Sequence, residues 1–259
     1  MTDTSAQAAK APLGVGAIIS DSFSIMFGNF GKVFLLGFAG AFLGFVINFL
    51  FLGFDAATGS DQNLNGDTAT ILLGSLGSII INMAIYGLIT ALLIQLAYDA
   101  KLGRQNSLST YFKSALPAVL PIAILSIVIG ILSAIGAIAL LIGALWVYAV
   151  FYVTAPVAVI ERGGFGSMGR SANLTKEYRW PIVGLFILVL IVTMILQLIG
   201  TFLVGVIAAV GGQFIAGVGL AMITGLAYAL GGIAVALVYA RLREIKEGVD
   251  VDQIASVFE

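Results

Sequence analysis

Residues 180–240 read WPIVGLFILVLIVTMILQLIGTFLVGVIAAVGGQFIAGVGLAMITGLAYALGGIAVALVYA, and these 61 positions contain no Asp, Glu, Lys, Arg or His. A helix needs about 20 apolar residues to cross a hydrocarbon core of about 30 Å, so the stretch has room for two helices and nominally for three. Cations flank it on both sides: Arg170, Lys176 and Arg179 before it, Arg241, Arg243 and Lys246 after it. Because Lys and Arg accumulate in short cytoplasmic loops, both ends belong on one side of the membrane and two crossings are predicted.

Three further runs lack charged residues, at 33–54, 68–98 and 114–160. The same reasoning assigns one crossing to each of the first two runs and two crossings to the third. The sequence therefore predicts six spans, at about 33–54, 70–98, 114–134, 141–160, 181–209 and 213–240.

The segment between the first two runs carries Asp55, Asp61 and Asp67 and no cation, as expected for an external loop. With both termini on the other side, all twelve Lys and Arg residues are cytoplasmic, in agreement with the positive-inside rule. The pattern predicts a multi-pass protein of a bacterial inner (plasma) membrane.

Composition agrees with this class, since 60% of the residues are hydrophobic and only 10% are charged, against roughly 25% charged in soluble domains. We expect a disordered cytoplasmic tail at 1–12, one membrane domain at 13–243 and a cytoplasmic tail at 244–259. The apolar side chains in 254–258 could fold back on the membrane domain or contact a partner. A net charge of −1 gives no reason to expect a nucleic-acid partner, and the absence of Cys excludes disulfides and thiolate chemistry.

A short amphipathic segment precedes each predicted pair of spans, at 14–31, 107–117 and 164–181. Polar residues make these segments unsuited to crossing the membrane and suited to lying along its surface. The predicted fold is all-α, with six transmembrane helices as three hairpins, each preceded by a cytoplasmic-side interfacial helix. A threefold repeat would explain the order, and so would helix-breaking residues that merely precede each pair.

The charge-free runs argue against chemistry inside the membrane, where ionisable residues mark proton relays and buried active sites. We therefore predict no catalytic residues, no cofactor and no metal site. The uncharged amides could line a path for a polar solute, but hydrogen bonding between helices is favoured. They are Asn48, Asn82, Gln95, Gln197 and Gln213.

Small residues form a Gly40/Gly44 pair and a stripe in the last span, at Gly225, Ala229, Gly232, Ala236 and Ala240. Such residues let helices approach closely, for dimerisation or, as we favour here, for internal packing.

One cluster has the chemistry of a binding site for anionic phospholipid, comprising Arg170, Lys176, Arg179 and Trp180. Cations near a membrane surface attract anionic headgroups by about 1 kcal/mol each, and Trp favours the interface. The alternative is that these cations only determine topology. Expected partners are membrane lipids, with a membrane protein or a second copy of the chain as further possibilities.

Residues 161–182, ERGGFGSMGRSANLTKEYRWPI, contain a motif at Glu161, Arg170, Ser171, Leu174, Thr175, Arg179 and Trp180. The motif resembles one in the membrane domain associated with glycerophosphoryl diester phosphodiesterases, and in related stand-alone bacterial membrane proteins. The resemblance implies membrane architecture and a link to lipid or envelope biology. It does not imply phosphodiesterase activity, because the catalytic barrel of that family uses histidines and acidic metal ligands, and this chain contains no His.

The leading functional hypothesis is thus a non-enzymatic accessory, scaffolding or lipid-organising protein. The alternative is a transporter or channel for an uncharged or amphipathic solute. A transporter requires a cavity that reaches the middle of the membrane, lined by Asn82, Gln95 or Gln197, whereas a scaffold should have these amides paired.

Overall fold

The computed structural model of the chain describes residues 11–53, 68–104, 106–139 and 141–248. Within these ranges the chain is helical and forms no strand. Six of the described helical segments are long and apolar enough to cross a membrane, which confirms the predicted all-α polytopic class. Most of both predicted tails, and the loop with Asp55, Asp61 and Asp67, lie outside the described residues.

The helices follow one another in the order α1 Val15–Gly28, α2 Phe30–Leu52, α3 Thr68–Lys101, α4 Leu108–Ala139, α5 Leu141–Val150, α6 Thr154–Ile160, α7 Ser167–Thr175 and α8 Arg179–Glu247. The apolar segments are span 1 (Phe30–Leu52), span 2 (Ala69–Lys101), span 3 (Leu108–Ala137), span 4 (Ile142–Ile160), span 5 (Arg179–Ile207) and span 6 (Phe214–Glu247). Span 4 therefore contains α5 and α6, and α8 contains spans 5 and 6.

The two arms of α8 meet at Gly212, whose φ of 79° and ψ of 168° are not helical. A positive φ is favourable only for glycine, so this residue permits the change in direction. The two arms then pack against each other. A Cβ atom added at Gly219 would lie 3.2 Å from Val204 Cγ2, and Gln197 lies beside Thr224. Spans 5 and 6 consequently form a hairpin that turns within the 211–213 stretch.

Two of the three expected amphipathic helices are separate elements, and one is not. α1 ends at Gly28 and is separated from α2 by one residue, Asn29, and α7 lies between spans 4 and 5. Segment 107–117 is instead the beginning of α4, which continues without a break through Pro117 and Pro121. The expectation of a separate second helix was wrong because transmembrane helices tolerate proline, whose fixed φ of about −65° is itself helical.

Glycines bring the spans into close contact. A methyl group at Gly37 of span 1 would overlap the carbonyl oxygen of Gly225 of span 6, and one at Gly40 would lie 2.5 Å from Ile89 Cγ1. A Cβ atom added at Gly232 would lie 3.2 Å from the Cβ atom of Leu93. Ala229, Ala236 and Ala240 are buried as well. These contacts support the internal-packing interpretation of the small-residue stripe.

The largest fully buried side chains lie in the parts of the spans nearest to the cations. They include Val33, Leu92, Leu93, Ile94, Leu96, Ile182, Leu185, Ile233, Tyr239 and Leu242. Apolar side chains towards the other end of the spans are mostly exposed on the protein, among them Leu50, Leu73, Leu198 and Phe202. Lipid tails are as apolar as leucine, so this exposure is compatible with a position inside a bilayer.

Candidate functional site

The cations of the described residues lie in or beside four connections: before span 1, between spans 2 and 3, between spans 4 and 5, and after span 6. Hydrogen bonds join these connections into one surface, here called the cationic end. Lys101 Nζ lies 3.0 Å from Asp21 Oδ2 of α1. Lys32 Nζ donates to the Asn106 carbonyl at 3.3 Å, and Arg241 donates to the Pro12 carbonyl at 3.1 Å.

The motif at 161–182 forms much of this surface through a network of charged groups. Arg170 Nε lies 3.0 Å from Glu161 Oε2, and the Arg170 guanidinium also pairs with Glu247. Tyr239 donates to Glu161 Oε1 at 2.8 Å, and Arg243 Nε lies 2.8 Å from Glu247 Oε2. The hydrogen bond that Arg170 donates to Glu161 raises the pKa of the Arg170 guanidinium. Arg170 is thus neutralised by two carboxylates of the protein itself, unlike a cation held ready for a lipid headgroup.

Two hydroxyl residues of the motif bind a carbonyl group in the middle of span 4. The helix is interrupted at 151–153, between α5 and α6, and Pro156 lies just beyond the interruption. Ser171 Oγ of α7 donates to the Val150 carbonyl oxygen at 3.0 Å, and Thr175 Oγ1 lies 3.0 Å from the same oxygen and 2.9 Å from the Ser171 carbonyl. Both hydroxyls therefore fasten α7 to the end of α5. Leu174 is buried in the core, so these motif residues have a structural role.

The remaining residues of the predicted lipid cluster lie on or near span 5. The Arg179 guanidinium carbon is 5.2 Å from the centre of a Trp146 ring, and Trp180 packs on Trp146 with ring centres 5.4 Å apart. Trp180 is 63% exposed, whereas Arg179 Nε is buried without a hydrogen-bond partner in the described structure. The Lys176 side chain is exposed. Arg179 and Trp180 thus share Trp146 as a neighbour, while the ion pairs of Arg170 are with Glu161 and Glu247.

Most of the amides in the spans pair with other helices. Ser78 Oγ and Asn82 Nδ2 of span 2 donate to Asn48 Oδ1 of span 1, at 2.5 and 3.0 Å. Ser114 Oγ donates to Gln95 Oε1 at 2.5 Å, and Gln197 Nε2 lies 3.4 Å from Thr224 Oγ1. Gln213 has no described side chain. The pairing supports the interpretation that these amides join helices.

A large groove lies between spans 2, 4, 5 and 6 and has a volume of about 870 Å³. No charged residue is among the described residues that line it. Aromatic rings meet in its wall: Tyr148 and Phe186 have ring centres 4.4 Å apart, and Tyr86 meets Tyr228 edge to face at 5.6 Å. Its polar lining consists of Tyr86, Thr90, Tyr148, Tyr152, Thr193, Gln197, Thr201 and Tyr228.

A smaller cavity of about 320 Å³, here called the inner cavity, lies between spans 2, 3, 4 and 6. It shares Tyr86, Thr90, Tyr148, Tyr152 and Val235 with the groove, so the two spaces adjoin. Its other hydroxyl groups belong to Ser126, Ser133 and Thr154. Thr154 is 3% exposed, and neither its Oγ1 nor Ser133 Oγ has a hydrogen-bond partner in the described structure.

Together the two spaces combine apolar surface with neutral hydroxyl groups. Within the described ranges, no group of three or more His, Cys, Asp or Glu residues could hold a metal ion. The arrangement can therefore enclose an apolar chain and hydrogen-bond an uncharged polar group. Sequence reasoning identified Gln197 but missed the tyrosines, Trp146 and Thr154, because they lie on different spans and share no local pattern.

Comparison of the chain with protein-family models, with curated proteins and with solved structures finds no match. The resemblance of residues 161–182 to the phosphodiesterase-associated membrane domain accordingly remains a hypothesis carried by those residues.

Proposed function

We propose that this integral membrane protein is a non-enzymatic, lipid-organising component that holds the apolar chain of a membrane lipid in the groove. The observation that carries the proposal is an uncharged groove of about 870 Å³ between apolar spans, within the 300–1,000 Å³ range usual for ligand sites. Its rim is formed by exposed apolar residues such as Leu190, Met194 and Leu198 of span 5. A lipid chain could therefore pass from the bilayer into the groove without crossing a polar barrier.

The paired amides favour lipid binding over transport of a polar solute. Asn82 and Gln95 are hydrogen-bonded between helices, which leaves Gln197 as the amide lining the groove. One amide beside hydroxyl groups is a poor substitute for the hydration of a polar solute. Transport of an amphipathic solute remains the second candidate, because such a solute would fit the same groove.

The proposal includes the orientation predicted above, with the cationic end in the cytoplasm of a bacterium. Anionic lipids of the inner leaflet would then gather around the cationic end, at about 1 kcal/mol per cation near the surface. Lipid organisation would combine this general attraction with a specific site in the groove.

Filling the groove tests the proposal. Gly231 of span 6 lines the groove, and a Cβ placed there has no atom within 4 Å, so Gly231→Phe should put a ring into the groove with little strain. Gly184→Phe is the matched control, since Gly184 is exposed on span 5, does not line the groove and has the same free space. Lipid retained by the purified protein would be counted by native mass spectrometry and identified after extraction.

We expect the unaltered chain and Gly184→Phe to retain a lipid that Gly231→Phe loses. Equal retention by the two variants would show that the groove holds no lipid and would contradict the proposal. Release of a soluble amphiphile from loaded vesicles, abolished only by Gly231→Phe, would instead favour the transport alternative.

A further inference from the structure

We infer that the lipid held in the groove is neutral, and that its hydroxyl or carbonyl group binds in the inner cavity at Thr154 and Ser133. This inference rests on the proposed function and adds the chemical class of the ligand. It begins from two buried hydroxyl groups that lack partners in the described structure, one on span 3 and one on span 4. Buried polar groups are nearly always hydrogen-bonded, so such a pair on the walls of one cavity points to a ligand.

The position of Thr154 explains why its hydroxyl is free. Thr154 is the first residue of α6, so the carbonyl four residues earlier, that of Val150, belongs to α5 and lies across the interruption at 151–153. That carbonyl accepts a hydrogen bond from Ser171 at 3.0 Å, and Thr175 Oγ1 lies 3.0 Å from it and 2.9 Å from the Ser171 carbonyl. Thr154 Oγ1 therefore has no acceptor in a preceding turn of its own helix, and Thr154 forms part of the wall of the inner cavity.

The charge of the lining restricts the ligand. The described residues around the groove and the inner cavity include no Lys or Arg that could pair with a phosphate or carboxylate. An unpaired charge buried in a membrane is costly, so an anionic headgroup should be excluded. Hydroxyl groups of Thr and Ser both donate and accept, so they can bind a carbonyl oxygen or a hydroxyl group equally well.

The connection between the two spaces sets the orientation of the ligand. Tyr86, Tyr148 and Tyr152 line both the groove and the inner cavity. A head in the inner cavity would place the attached chain along these rings and into the groove. Two lipid classes share the required chemistry: a quinone with a ring carbonyl, and a diacylglycerol with a hydroxyl group and ester carbonyls.

Binding of short-chain lipids to the full chain in detergent tests the inference. The probes are a decyl-substituted benzoquinone, dioctanoylglycerol and, as the anionic comparison, dioctanoyl phosphatidylglycerol, each titrated and followed by native mass spectrometry. We expect one or both neutral probes to bind to a single groove site that Gly231→Phe abolishes. The neutral probe that binds more tightly identifies which of the two lipid classes, quinone or diacylglycerol, is the ligand.

Substitution of Thr154 provides the specific readout. Thr154→Val should weaken neutral-lipid binding about threefold to tenfold, the effect of losing one hydrogen bond. Thr154→Ser keeps the hydroxyl group and should retain binding. Thr110→Val is the control, because Thr110 is exposed at the beginning of span 3 and lines neither the groove nor the inner cavity. Its binding should equal that of the unaltered chain.

Thermal unfolding separates this role from a purely structural one. Without added lipid, Thr154→Val should be as stable as the unaltered chain or more stable, since it removes an unpaired buried hydroxyl. Loss of stability in the lipid-free Thr154→Val protein would overturn the inference. Retention of phosphatidylglycerol in the groove, unaffected by Thr154→Val, would also overturn it while leaving the proposed function intact. Absence of any groove lipid would refute both.

Discussion

The half of the bundle next to the cationic end contains most of the largest fully buried side chains, whereas comparable side chains of the opposite half are mostly exposed. Leu92, Leu93 and Ile94 of span 2 are almost completely buried in the first half. In the opposite half, Leu198 and Phe202 of span 5 are 74% and 73% exposed. The first half is held by contacts within the protein, and the second offers its apolar surface to surrounding lipid.

The two halves also differ in how their segments are joined. At the cationic end, α1, α7 and residues 11–14 are tied to the spans by ion pairs and hydrogen bonds, such as the one from Tyr178 to the Ala11 carbonyl at 2.9 Å. Contacts of the opposite half are mainly close approaches at glycines, such as Gly136 with Gly143, and the hydrogen bonds of Asn48. Lipid tails are as apolar as leucine, so the opposite half gains little from burying its apolar side chains within the protein.

The largest expected effect comes from the contact of spans 1 and 6. Gly225→Ala places a methyl group 2.5 Å from the Gly37 carbonyl carbon, a distance that the two backbones can relieve only by separating. We expect a loss of about 2–3 kcal/mol in the free energy of unfolding, at the upper end for overpacking. Thermal unfolding in detergent would measure it.

Gly205→Ala is the matched control for this prediction, because a Cβ at Gly205 of span 5 has no atom within 4 Å. The control should be neutral or slightly stabilising, since alanine is the better helix former. Equal stability of the two variants would mean that the close contact of Gly37 with Gly225 does not stabilise the packing of spans 1 and 6.

A second prediction separates two arginines of the motif. Arg170→Gln leaves Glu161 and Glu247 without their shared partner, and we expect it to lower the free energy of unfolding by about 1–2 kcal/mol, discounted because the pairs are partly exposed. Arg179→Gln should instead reduce retained anionic lipid, by up to about fivefold for one cation at the surface. Chemical or thermal unfolding and lipid analysis of both variants would be compared.

Lys113→Gln measures the effect of losing one exposed cation, since Lys113 takes part in no ion pair among the described residues. A specific role of Arg179 requires that Arg179→Gln lose more anionic lipid than Lys113→Gln. Arg179→Lys should lose part of the lipid, because lysine lacks the planar fork that binds a phosphate with two hydrogen bonds. If Arg170→Gln reduced anionic lipid and left stability unchanged, our assignment of the two arginines would be reversed.

The contrast between the arginines illustrates how far sequence reasoning extends here. The spans could be predicted because charge-free runs and the positions of cations are local properties of the chain. The role of Arg170 could not, because one of its partners, Glu247, is 77 residues away and meets it only after spans 5 and 6 have folded into a hairpin. The sequence shows Arg170 as a cation that could bind an anionic lipid. It does not show the carboxylates that the fold brings to the same side chain.

The groove was unpredictable for a related reason. Tyr86, Tyr148 and Tyr228 lie on spans 2, 4 and 6, and no pattern within one span indicates that they meet. Thr154 begins a helix after the interruption of span 4, and no local pattern shows that its buried hydroxyl lacks a partner in the described structure. The second amphipathic segment was misjudged because Pro117 looks like a helix end, although the helix continues through it.

The smallest expected effect concerns the backbone where span 4 ends. Arg162 has a φ of 54°, the left-handed conformation that favours glycine, and the amide of Gly163 donates to the Val157 carbonyl at 3.3 Å across it. Because a side chain is strained in this conformation, Arg162→Gly should stabilise the fold by about 0.5–1 kcal/mol, after the larger unfolded-state entropy of glycine is subtracted. Arg162→Ala, which loses the charge but keeps the strain, should give no such gain in thermal unfolding. Equal gains in stability from both variants would attribute the effect to the lost charge. A loss of stability from Arg162→Gly alone would show that the exposed arginine contributes contacts that outweigh its backbone strain.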